Sequence, residues 1–62
     1  MSKLHGYDEA DRRRIIRLAS EFVAGQIERG EIEQTEEAIK AAMPAAVQDA
    51  KAVVNAVHEY LS

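Results

Sequence analysis

The densest group of side chains able to do chemistry is Arg12-Arg13-Arg14 with Arg17, four of the eight basic residues in the chain. On a helix, Arg13, Arg14 and Arg17 lie on a face opposite the apolar stripe. Three guanidinium groups there can grip phosphates, because each presents a planar fork of donors. The same arginines have carboxylates close by. Glu9–Arg13 and Arg17–Glu21 stand at i,i+4 spacing, and Asp8 and Asp11 are near in the chain. A solvated, ion-paired helix face is the stronger of the two readings. The formal charge of −3 also works against tight non-specific binding to nucleic acid.

The other candidate groups support less chemistry. Glu28, Glu31, Glu33, Glu36 and Glu37 form an acidic stretch, but the alternating oxygen ligands of a calcium loop are missing. They read as helix caps and solubilising charge, with some pull on a basic partner. His58-Glu59 is half of a zincin motif without a second His four residues away. His5 falls in the leader, and His58 sits at the edge of an apolar seam near a helix C-terminus, where the dipole favours its protonated form. Ser2, Ser20, Ser62 and Thr35 have no His-acid arrangement around them. Ser20, inside a helix, can instead bond a preceding carbonyl. Gly6, Gly25 and Gly30 are too scattered for a phosphate loop. Gly25 suggests either a close helix approach or a tolerated weak point. Phe22, Tyr7 and Tyr60, the only aromatics, do not make a stacking platform. Phe22 reads as core, and the two tyrosines as packing at a bundle end or a subunit interface. No cysteine is present, so neither a disulfide framework nor a thiolate metal site is open to the chain. The residues predict no catalytic centre, no cofactor and no metal.

The elements that carry these residues are helices. Residues 1–7 read as a flexible leader and 8–62 as a single helical domain. Asp8 is an N-cap, with Glu9 and Asp11 favourably placed in the first turn. No proline interrupts the chain from Ala10 to Arg29, and Gly30 is a good residue to follow a helix end. This first helix is about 30 Å long at 1.5 Å per residue. Its apolar residues, Ile15, Ile16, Leu18, Ala19, Phe22, Val23 and Ile27, spread over roughly 180° of the cylinder, which predicts more than one helical neighbour. Residues 30–35 form a loop, with Ile32 turned back to the core and Thr35 capping the next helix. Pro44 inside a helix costs about 3 kcal/mol, whereas at the first helical position it costs little. The sequence therefore predicts a short second helix, a break or sharp kink at Met43-Pro44, and a long third helix to Leu61. In that last segment Val47, Ala50, Val54, Val57 and Leu61 recur at 3-4-3-4 spacing, a seam for packing on another helix. No window alternates with the two-residue period of a strand.

Sixty-two residues limit the chain to one domain and exclude the large nucleotide-binding and barrel folds. Apolar content of 47% with low net charge lacks the signature of disorder. Nothing approaches the roughly 20 apolar residues of a membrane span, and the N-terminus has no signal-peptide core, so a cytoplasmic protein without membrane contact is expected. Eleven of the apolar residues are Ala, so the core is thin, and a single core below about 70–80 residues rarely supplies more than 3–5 kcal/mol. A second chain is the usual remedy. The fold class expected is all-α: a helical hairpin that pairs into a homodimeric bundle. Ile15, Leu18, Phe22, Val47, Val54, Val57 and Leu61 are the residues expected at a dimer or partner interface. The function expected is non-enzymatic: an interaction or regulatory protein working through protein–protein contacts. The alternative is a nucleic-acid-binding regulator that uses Arg13, Arg14 and Arg17.

Overall fold

The computed structural model describes residues 6–61, which form two helices, α1 (Glu9–Glu28) and α2 (Glu36–Leu61), packed against each other. Of the expected leader, residues 1–5 with His5 lie outside the described residues, as does Ser62. No strand occurs among the described residues, and no helix there is long and apolar enough to cross a membrane.

The ends of α1 follow the local chemistry. Asp8 is extended, and its carboxylate accepts from the Asp11 backbone N–H at 2.7 Å. At the other end Gly30 takes φ +73°, a left-handed conformation that glycine adopts without strain. The Gly30 N–H then reaches the Ile27 carbonyl at 3.0 Å and the Glu31 N–H reaches that of Gln26 at 2.8 Å. These paired back-reaching bonds satisfy carbonyls that the helix end leaves free. Half-buried Ile32 packs against the core, and Thr35 caps α2 by accepting from the Ala38 N–H at 3.2 Å.

The expected division into three helices is corrected. α2 runs unbroken from Glu36 to Leu61 with Pro44 in its interior. Two features carry the helix through. Lys40 is exposed and Pro44 borders a surface hollow beside it, so the Lys40 carbonyl that loses its partner is near water. Ala41, Ala42, Ala45 and Ala46 around the proline are the strongest helix formers, and Ala42, Met43, Ala46 and Val47 pack on or within the core. A break at Met43 would forfeit that burial.

The two helices meet along rows that step by four. Asp11, Ile15, Ala19 and Val23 are buried on α1, and Ala46, Ala50 and Val54 on α2. Such i±4 rows are the ridges of one common class of helix packing. His58 extends the α2 row by one step and contacts Asp11, which sets the antiparallel register. Counting along both rows puts Ile15 level with Val54, Ala19 with Ala50, and Val23 with Ala46. The alanines at the centre let the backbones approach. The expected 3-4-3-4 seam of α2 is divided as a result. A row stepping by four drifts about 40° per step around the helix, so it departs from the straighter 3-4 row. Ala50 and Val54 are buried, Val47 is half-buried, and Val57 and Leu61 are left 46% and 74% exposed.

The core is correspondingly small: Ile15, Ala19, Val23, Ala46, Ala50 and Val54, of which Ile15 is the one large side chain fully buried among the described residues. The Cα envelope measures 38 × 27 × 14 Å, one helix layer thick. Each broad side of the hairpin faces outward.

Candidate functional site

One of those sides carries a groove of about 360 Å³ between the helices, toward the end where α1 begins and α2 finishes. Leu18 and Val54 form its floor, and Val53, Val57 and Leu61 one bank. Arg14, Arg17 and His58 complete the lining. Val53, Val57 and Leu61 are three of the five exposed large apolar residues of the described chain, gathered in one place by the i,i+4 spacing of 53, 57 and 61. The other two, Ile16 and Tyr60, stand outside the groove.

The polar groups at the same end of the hairpin tie the two helices together. Asp11 is buried, its side chain only 10% exposed, and His58 Nε2 lies 3.0 and 3.1 Å from its two carboxylate oxygens. An ionised carboxylate only accepts, so Nε2 carries the proton of that contact. Arg14 stands farther off, 3.6 Å from Asp11 Oδ1. Beside them Tyr7 donates its hydroxyl to Asn55 Oδ1 at 3.2 Å. The arrangement clamps the open end of the hairpin. No Ser, Thr, Cys or Lys joins this cluster, and no group of three or more His, Cys, Asp or Glu suited to a metal ion occurs among the described residues.

The residues expected at an interface divide into three sets. Ile15 and Val54 are buried in the hairpin seam, with Val54 also reaching the groove floor. Leu18, Val57 and Leu61 line the groove. Phe22 lies in an adjoining hollow with Glu21, Gly25 and Asp49, and Val47 lines a separate hollow with Met43 and Lys51. The arginines also divide. Arg13 pairs with Glu9 at 2.8 Å, as its spacing suggests, while Arg14 and Arg17 flank the groove. A Cβ on Gly25 would meet the Arg29 guanidinium at 3.0 Å and no atom of α2 closer than 3.9 Å, so Gly25 makes no close helix approach.

Compared with protein-family models, curated proteins and solved structures, the chain matches none. Its function must be read from its own surface.

Sequence reasoning places Asp11 in the first turn of a helix and His58 at the edge of a seam, and does not bring the two together. The signal lies in the i,i+4 rows 11-15-19-23 and 46-50-54-58, each ending on a polar residue that faces its counterpart in the other row. Away from the groove, Arg29 Nε donates to Glu31 Oε2 at 2.6 Å across the exposed turn. That hydrogen bond, with the charge attraction behind it, holds the Glu31 carboxyl below the usual carboxylate range and raises the Arg29 guanidinium.

Proposed function

We propose that this chain is a non-enzymatic interaction or regulatory protein that works through protein–protein contacts and pairs with a second copy of itself. The observation that carries the reading is the exposed aliphatic bank Val53, Val57 and Leu61 beside Leu18, set against a core of six residues of which three are alanine. A contiguous exposed apolar surface of this kind marks an interaction site, and a chain this small gains stability by covering it. The apolar stripe of α1 fits the same reading, since α2 buries only part of it. The arginines fit better as the rim of this surface than as a separate phosphate site, because Arg14 and Arg17 both border the apolar groove.

Thermal unfolding followed by circular dichroism across a concentration series tests this reading. Binding that stabilises the folded state makes Tm depend on protein concentration. Tm is expected to rise as the chain concentration rises from the micromolar to the millimolar range. A Tm independent of concentration contradicts pairing. Titration with short duplex DNA at low salt separates the alternative reading: salt-sensitive binding lost on R14A/R17A would favour a nucleic-acid regulator.

A further inference from the structure

Resting on the pairing proposed above, we infer that the second copy docks antiparallel on the grooved side of the hairpin, with Arg17 of each copy paired to Glu21 of the other. Several charges on this side of the hairpin have no ion-pair partner among the described residues. Arg17 and Glu21 stand one turn apart on α1, the spacing at which helix ion pairs form, yet no ion pair joins them. Glu21 and Asp49 also have no partner among the described residues. Arg17 belongs to the groove and Glu21 and Asp49 to the adjoining hollow around Phe22. Arg29, at the far edge of that hollow, is already engaged by Glu31. Positions 14, 18, 22 and 25 recur at helical spacing, so groove and hollow follow one another along the same side of α1. One end of this side is therefore basic and apolar, and the next stretch is acidic.

A surface so divided is complementary to itself once reversed. Symmetric dimers use one patch on both subunits, each contact occurring twice. A two-fold axis crossing α1 between Leu18 and Glu21 places Arg17 of one copy at Glu21 of the other, and Leu18 beside Phe22 of the second copy. On α2 the same axis passes near Ala50, which is level with Ala19. Val53 and Val57 of each copy then lie over Ala46 and Ala42 of the other, small residues that leave room for them. Two hairpin layers joined in this way make a four-helix bundle, and the groove is closed on both sides.

The test is charge exchange read by sedimentation equilibrium at low salt, with circular dichroism confirming that each variant keeps its helices. R17E and E21R each place like charges across the axis, and each is expected to weaken self-association on the order of tenfold. Mixing R17E with E21R restores both pairs in the mixed dimer. The two substituted side chains, of opposite charge, face each other across the axis, and Glu21 of the R17E copy faces Arg17 of the E21R copy. The mixture is expected to associate about as tightly as wild type, and better than either variant alone. A wild-type dimer whose variants do not recover on mixing overturns the antiparallel arrangement while leaving pairing intact. A wild-type chain that stays monomeric overturns both.

Discussion

At the residue scale, the contact that most constrains the fold joins Asp11 to His58. Asp11 is the one buried charged residue in the described chain, and a buried carboxylate without a donor costs about 1–3 kcal/mol. H58A is expected to destabilise the hairpin at the lower end of that range, because Arg14 already stands 3.6 Å away and can move closer. Urea unfolding of D11A, H58A and the double variant checks it. The double variant should lose less than the sum of the singles, by about 1 kcal/mol. Additive losses would mean the two side chains are not coupled. The Arg29–Glu31 pair makes a second prediction. Glu31 has a depressed folded-state pKa, so its contribution to stability is present above the ordinary carboxylate range and is lost as pH falls through the depressed value. In an NMR titration, R29Q should move the Glu31 carboxyl back up toward an ordinary value. An unchanged titration would contradict the pairing. Contacts such as Asp8 with the Asp11 N–H, Glu9 with Arg13, and Ser20 with the Ile16 carbonyl at 2.8 Å were legible because each lies within four residues. Asp11 and His58 are 47 residues apart, and only the helix register brings them together.

At the element scale, both helix starts and the end of α1 were legible, since capping is set by a few neighbouring residues. The interior of α2 was not. A local rule breaks a helix at Pro44, but burial of Ala42, Met43, Ala46 and Val47 against the core opposes it. The local penalty remains, so P44A should stabilise the chain by about 1–3 kcal/mol, read as a higher urea midpoint. A loss of stability on P44A would mean that the proline sets a bend needed for the seam. The apolar patterns were legible as surfaces but not fully apportioned. Period alone does not say which part of a broad stripe meets the chain's own partner helix. The rows stepping by four went to the hairpin, and the remainder, Leu18 with Val53, Val57 and Leu61, went to the groove.

At the scale of the whole molecule, one hairpin layer 14 Å thick cannot cover its own apolar sides. Helical domains close their cores by stacking layers, and this chain supplies a single layer. In the proposed dimer a second copy provides the other. The polarity along the chain supports this, with five basic against three acidic residues in 1–20 and two against six in 21–40. Reversal of one copy on the other sets basic surface against acidic. The all-α class and the hairpin were legible from period and caps. The groove was not, because it depends on how two helices 20 and 26 residues long overlap after the loop. The most direct measurement is sedimentation equilibrium of the wild-type chain beside V57E. Val57 is 46% exposed in the groove, so a glutamate there leaves the hairpin core untouched. Wild type should sediment at twice the 6.9 kDa chain mass at high micromolar concentration, and V57E at the chain mass with its helices retained. A wild-type chain that remains at the single mass throughout, or a dimer that V57E leaves intact, would contradict the assignment of this face to a second copy.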